Sequence, residues 1–113
     1  MSRRASAPAW LSEAAPLFAA LGDQTRLRMV ERLCSDGPLS TVTLGAGSGI
    51  TRQAVTKHLE VLAAAGLVRS EWKGRARVWE LRTRQLEEAR RALDTISKRW
   101  DEALERLRAM VEE

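Results

Sequence analysis

From Leu86 onward the sequence places an apolar residue every seven positions, at Leu86, Leu93, Trp100 and Leu107. Ala89, Ile96, Ala103 and Met110 follow each of these by three. An a/d pattern sustained over four heptads, with Arg, Glu and Asp at most other positions, predicts one long helix with an apolar seam. Thr83 is placed to cap it, and at about 1.5 Å per residue the helix runs to about 40 Å. A single small domain cannot cover a seam of that length. Packing the whole seam against a helix of the same chain would leave Trp100 exposed, so the pattern predicts a homodimer.

The chain has 113 residues, enough for one hydrophobic core and one domain over 1–113. Its composition is 44% apolar and 30% charged, which predicts an ordered chain. Ala and Leu dominate, with no Tyr and one Phe, so the expected fold is mainly α. The lone Cys34 excludes an internal disulfide and fits a reducing compartment, where it reads as a small buried apolar residue. No apolar run approaches the ~18 residues of a membrane span. Arg3 and Arg4 are followed by no apolar segment of the kind a signal peptide needs. The expected location is cytoplasmic.

Residues 1–9 read as a frayed start. Ser12 is placed to cap a first helix with Pro16 in its first turn, and Gly22 to end it. Trp10, Leu11, Ala14, Leu17, Phe18 and Leu21 give this helix a broad apolar surface. Asp23 caps a second helix whose expected buried stripe is Leu27, Val30 and Leu33, with Arg26, Arg28 and Arg32 outward. Asp36-Gly37-Pro38 stops it. Ser40 opens a short third helix with Val42 and Leu44 inward. Gly45, Gly47 and Gly49 make it a poor helix that packing has to hold. Thr51 caps a fourth helix that ends at Gly66. Then Val68-Arg69-Ser70-Glu71-Trp72 and Arg77-Val78-Trp79-Glu80-Leu81 flank Lys73-Gly74-Arg75-Ala76, which reads as a β-hairpin.

Charge is concentrated in the middle of this plan. Residues 50–84 carry eight basic and three acidic groups, whereas residues 85–113 carry six and eight. Such a distribution suits a polyanion-binding face, although a solvated positive face would look the same. The order of elements is more specific. A short helix, a tight turn at Gly49-Ile50 and a capped helix form a helix-turn-helix over 40–65, and the hairpin forms a wing over 67–82. On the fourth helix Arg52, Gln53, Thr56 and Lys57 are suited to base edges, and Thr51 and the free N–H groups of its first turn to a phosphate. Ser40 and His58 join this candidate DNA-binding set, His58 either bonding a phosphate or serving the fold. Lys73, Arg75 and Arg77, with Arg69 on the arm, would meet the backbone or the adjacent minor groove. An ordinary amphipathic helix beside an ordinary polar hairpin is the bland alternative, and four basic residues around one tight turn weigh against it.

Three stretches resemble the ArsR (arsenic-repressor) family of winged helix-turn-helix regulators across roughly Leu17 to Leu81. They are Leu21-Gly22-Asp23 with Thr25-Arg26-Leu27, then Gly49-Ile50-Thr51-Arg52-Gln53-Ala54-Val55-Thr56-Lys57-His58-Leu59, then Leu62 with Ala65-Gly66-Leu67-Val68. Trp100 in a long last helix is similar to a branch without a metal site. The resemblance implies a dimer built by the first and last helices (10–22 and 83–112) and repression by occupying a promoter. Trp10, Leu11 and Phe18 would then meet Leu86, Leu93, Ile96, Trp100 and Leu107. Relatives that sense metals carry Cys pairs in the third helix or His and acidic residues in the last one. Here the third helix reads Thr41-Val42-Thr43-Leu44-Gly45-Ala46, and Cys34 and His58 are too few for a site of three or four ligands. No metal, no cofactor and no catalytic residues are expected. Gly45-Ala46-Gly47-Ser48-Gly49 lacks the preceding strand and following Lys-Ser/Thr of a nucleotide loop. The expected partners are operator DNA as an inverted repeat and a second copy of the chain. An apolar pocket near Trp10 and Trp100 is a place for an organic effector of unknown identity. The rival reading is a winged helix that binds a protein instead of DNA.

Overall fold

Short polar side chains set three of the helix starts by taking up N–H groups that have no partner within the helix. Asp23 accepts from Arg26 N at 3.0 Å and opens α2 (Gln24–Asp36). Ser40 accepts from Thr43 N at 3.1 Å and opens α3 (Thr41–Gly45), and Thr51 accepts from Ala54 N at 3.1 Å and opens α4 (Arg52–Ala64). The other two helices, α1 (Ala9–Leu21) and α5 (Thr83–Val111), begin without a side-chain cap. Ser12 and Thr83 therefore do not cap them as expected: Ser12 lies inside α1, and Thr83 is the first residue of α5. The computed structural model describes residues 8–112, so the expected frayed start falls mostly outside the described residues, while Ala9 is already helical.

Pro16 also departs from expectation, because it sits in the interior of α1 rather than in its first turn. A proline there costs about 3 kcal/mol through a lost hydrogen bond and a clash with the preceding turn. Burial of Ala14, Leu17 and Ala20 on the core face offsets that cost, with Pro16 itself exposed.

The architecture is mainly α with one small antiparallel sheet. The expected hairpin is present as β2 (Val68–Lys73) and β3 (Ala76–Leu81). A third strand, β1 (Leu39–Ser40), pairs with β3 through Leu39↔Trp79 and Ser40↔Val78, giving the order β1-β3-β2. Two residues are too few to show a strand period, and β1 exists because β3 offers it an edge. Between α4 and β2, Gly66 adopts φ +78°, with its N–H on Ala63 O at 2.9 Å and Leu67 N–H on Leu62 O at 3.0 Å. This pair of bonds ends the helix and turns the chain into the wing.

The core lies where α2, α4 and the sheet converge. Val55, Leu59, Leu62, Leu67, Val68 and Trp79 are its most deeply buried side chains. From α2 the buried residues are Met29, Val30 and Leu33. Leu27 is 53% exposed and Cys34 is exposed, contrary to expectation for both. Seven residues apart, they share a line on the flank of the buried stripe, beyond the reach of α4. Val42 is likewise 58% exposed, so Leu44 alone anchors α3 among the residues expected to face inward. Gly45 lets α3 approach α4: a Cβ there would stand 3.0 Å from Val55 Cγ2. The connection between these helices spans residues 46–51 and is longer than the expected tight turn at Gly49-Ile50. Ser48 stiffens it by donating to Gly45 O at 2.6 Å.

The 29-residue α5 packs on α1 only over its first turns, where Ala89 and Ala92 are buried. Beyond them Leu93, Trp100, Leu107 and Met110 of the heptad are exposed, and so are Leu104 and Val111, which widen the stripe. The helix projects far enough to give the molecule a long axis of 64 Å.

Two predictions follow from this packing. Leu59→Ala should lower stability by about 3 kcal/mol, read as a lower urea midpoint at fixed protein concentration with an unchanged m value. A loss below about 1 kcal/mol would mean that the core is not closed at that point. The second concerns Asp23, whose carboxyl is held below the usual aspartate value chiefly by the Arg26 N–H, with the Arg26 and His58 charges adding to it. A lowered folded value means that its stabilisation is present above about pH 4 and is lost as pH falls through the acid range beneath. Asp23→Asn keeps a capping oxygen but cannot titrate, so its stability should vary less than wild type between about pH 5 and 2.5. Parallel curves for the two proteins would remove Asp23 as the source.

Candidate nucleic-acid interface

The caps that start α3 and α4 also bring their first turns close to the wing. Ser40 and Thr41, Arg52 and Thr56, and Trp72, Arg75, Ala76 and Arg77 line one open cleft of about 580 Å³, with Val42 at its edge. Hydrogen bonds hold its walls in place. Thr41 Oγ1 accepts from Trp79 Nε1 at 2.8 Å and donates to Arg77 O at 3.4 Å. Arg32 Nη1 donates to Thr43 O at 2.9 Å, tying α3 to α2.

At ~100° per residue, Gln53 and Lys57 lie on the face of α4 opposite Val55, Leu59 and Leu62, while Arg52 and Thr56 lie on the flank that turns toward the cleft. Arg52, Gln53 and Lys57 are exposed and Thr56 is half-buried against the cleft. Lys73 and Arg75 stand exposed at the wing tip. Among the described residues, Arg52, Lys57, Lys73 and Arg75 have no carboxylate within ion-pairing distance. No acidic side chain lines the cleft. The surface therefore joins the first turns of α4 to the wing tip under uncompensated positive charge.

The remaining candidates are engaged elsewhere to differing degrees. The hydroxyls of Ser40 and Thr51 already serve as caps, with Ser40 Oγ also donating to Thr43 Oγ1 at 2.9 Å. Arg77 lies with its guanidinium 4.3 Å from the Trp79 ring centroid, donates to Ser70 Oγ at 3.0 Å and sits 3.7 Å from Glu60. Arg69 is paired with Glu80 across the hairpin. His58 sits on the other flank of α4, where Arg26 Nη1 approaches its Nδ1 at 3.3 Å and Asp23 Oδ2 lies at 3.9 Å. A guanidinium can only donate, so this contact is a hydrogen bond only when Nδ1 carries no proton. Arg26 also donates through Nε to Ala20 O at 2.6 Å, joining the end of α1 to α4 through one side chain.

Sequence reasoning missed Trp72 as a site residue. It follows Val68 and Ser70 in strand period, and those two are buried and half-buried. Trp72 itself is 68% exposed because the hairpin has by then run past the core. The signal was present in its position, one residue from the Lys73-Gly74-Arg75 tip.

A second groove, lined by Phe18, Leu93, Asp94, Ile96, Ser97 and Trp100, opens between α1 and α5. It matches the expected apolar pocket at Trp100, though Trp10 is not part of its lining. Among the described residues no group of three or more His, Cys, Asp or Glu side chains is arranged to hold a metal ion. Nor is any described helix long and apolar enough to cross a membrane.

Comparison with known proteins agrees with this geometry. Residues 21–71 match a family model described as a helix-turn-helix domain. The chain is 40% identical over 85 residues to the HTH-type transcriptional regulator Rv2034 of Mycobacterium tuberculosis, covering 75% of this chain and 76% of that protein. It is 43% identical over 68 residues to YuzN of Bacillus subtilis, named an uncharacterized HTH-type transcriptional regulator, covering 55% of this chain and 74% of that one. Among solved structures, an ArsR-like transcriptional regulator from Rhodococcus sp. RHA1 superimposes with a TM-score of 0.68 at 33% identity, covering 88% of this chain and 92% of the other. With its helix-turn-helix, its wing and these relatives, the chain belongs to the ArsR family of winged helix-turn-helix, DNA-binding transcriptional regulators.

Proposed function

We propose that this regulator is a repressor that binds an inverted repeat as a homodimer and occludes a promoter in the cytoplasm. The observation that carries the DNA contact is the cleft that joins Arg52 and Thr56 to Arg75 with no acidic side chain in its lining, with Gln53, Lys57 and Lys73 exposed on the same elements. In this reading the first turns of α4 enter the major groove, with Arg52, Gln53, Thr56 and Lys57 at base edges. Thr51 and its neighbouring N–H groups meet a phosphate, while Lys73 and Arg75 follow the backbone or the minor groove. Arg77 contributes by holding the cleft wall, and His58 by fixing α4 to the end of α1. Ser40 acts through its cap on α3.

The homodimer rests on the stripe of Leu93, Trp100, Leu104 and Leu107, each at least 49% exposed. A surface of that kind and length on a soluble regulator needs a cover. A second α5 and α1 supply it by two-fold symmetry and would enclose the groove at Phe18 and Trp100. The two α4 helices would then address half-sites about 34 Å apart.

Titration of the purified protein against its own upstream DNA, with and without excess random duplex, tests the reading. Binding that survives competitor, with a footprint of two half-sites, supports it, and no binding even at low salt would favour a protein-interaction module. Within a specific complex, Arg75→Ala should weaken all sequences alike and flatten the salt dependence by about one unit. Gln53→Ala should instead relax discrimination at one base pair by about 1–3 kcal/mol. Leu107→Asp should leave the monomer fold intact, because the side chain is 57% exposed, yet shift sedimentation to the monomer and abolish tight operator binding. A variant that stays dimeric would move the interface off α5.

A further inference from the structure

The cleft between α3, α4 and the wing is built of two kinds of wall. Arg52, Thr56 and Arg75 present charge and a hydroxyl, whereas Trp72, Ala76 and Val42 present apolar surface. The apolar part is large and open: Trp72 is 68% exposed and Val42 58% exposed. An indole left in water forfeits the burial its large area would supply, and Trp is enriched at interfaces, where its apolar body can pack while its N–H stays wet. Its place is well defined. Trp72 pairs across the hairpin with Arg77, whose guanidinium is held by Trp79, Ser70 and Glu60.

A wall that alternates cations with apolar patches matches a polymer that alternates anions with apolar rings. A nucleic-acid strand has that composition, with phosphates separated by deoxyriboses. The cleft is also where a strand has to pass if α4 reads one groove and the wing reaches the next. We propose that the cleft holds the sugar–phosphate backbone of one DNA strand, with the Trp72 indole packed on a deoxyribose, Arg75 on the flanking phosphate, and Arg52 and Thr56 reaching past that strand to the base edges. The inference deepens the DNA-binding reading above and rests on it. Trp72 is then a positioning residue: it sets how deeply the strand sits, and so the register of Arg52 and Gln53 on the bases.

The test uses the full chain and a duplex selected from a random pool by the wild-type protein, with binding followed by anisotropy across a range of salt. Trp72→Ala should weaken binding about tenfold at every salt concentration, the scale of losing one aromatic platform. Its salt slope should equal that of wild type, because the indole displaces no counterion. Trp72→Phe should bind within about threefold of wild type, since a smaller ring still covers a sugar. Hydroxyl-radical cleavage should show lost protection of deoxyriboses on one strand of each half-site in Trp72→Ala alone. The thermal midpoint should not fall in either variant, because the ring is outside the core.

Trp72→Ala binding within about twofold of wild type, with the same cleavage pattern, would overturn the proposal and leave the cleft to a smaller anion. A loss that Phe does not restore would also overturn it, by pointing to the indole N–H rather than to its face. If selection with the wild-type protein recovers no duplex, the regulator reading itself fails, and the strand-cleft proposal falls with it.

Discussion

Trp79 joins the wing to the helix-turn-helix. It sits in β3, the middle strand, and is fully buried. Its edge donates to Thr41 at the start of α3, and its face carries the Arg77 guanidinium. A buried indole supplies a large apolar area, and the hydrogen bond adds about 1 kcal/mol once its cost in water is counted. More important is what the residue joins. An isolated two-stranded hairpin is marginal in water, and this one gains rigidity by adding β1 as a third strand and anchoring to the core. The cleft that faces the proposed DNA strand therefore has fixed walls on both sides.

A second junction ties the end of α1 and the start of α2 to α4. Arg26 reaches from α2 to the last turn of α1 through Ala20 O and to α4 through His58, while Asp23 caps α2 beside them. Three helices meet at one guanidinium, which offers several donors in a fixed plane. Any rotation of α1 against α4 has to break one of these bonds. In a two-fold dimer built on α1 and α5, the spacing of the two α4 helices would then follow from packing at the interface. The charge asymmetry of the chain has a similar logic. The excess of basic groups over 50–84 is thinned by Glu60 and Glu80, which pair with Arg77 and Arg69. Of the cations left unpaired among the described residues of that stretch, Arg52, Lys57, Lys73 and Arg75 stand on α4 and the wing tip, while Arg82 and Arg84 stand at the start of α5.

Most of the plan was legible in the sequence where local chemistry decides it. Asp23, Ser40 and Thr51 announce helix starts because a short side-chain oxygen can reach an N–H three residues on. Gly66 and the Lys73-Gly74-Arg75 tip mark turns, and the stripe of Val55, Leu59 and Leu62 marks the inward side of α4. The exposed seam of α5 was legible for the same reason, since its heptad runs past anything the chain can fold against it. Of the interface, Arg52, Gln53, Lys57, Lys73 and Arg75 were readable as residue types at the right spacing, and the structure gathers them on one surface.

The rest needed the tertiary structure. By itself the sequence determined the order of elements, their caps and turns, and the side of each helix that seeks burial, because those depend on neighbours within a few residues. It did not determine that Pro16 would be carried inside α1, that Leu39 and Ser40 would become a strand, or that Leu27, Cys34 and Val42 would remain exposed. Each of those depends on what lies opposite, and a helical stripe shows an apolar side without showing how much of it a neighbour covers. The same limit applies to the site. Arg77 reads as a free cation in the sequence and His58 is left between a phosphate and the fold, and only packing brought Trp79 and Glu60 to one, and Arg26 and Asp23 to the other. Trp72 reads in the sequence only as the end of a strand, and it stands at the surface because the hairpin outruns the domain beneath it.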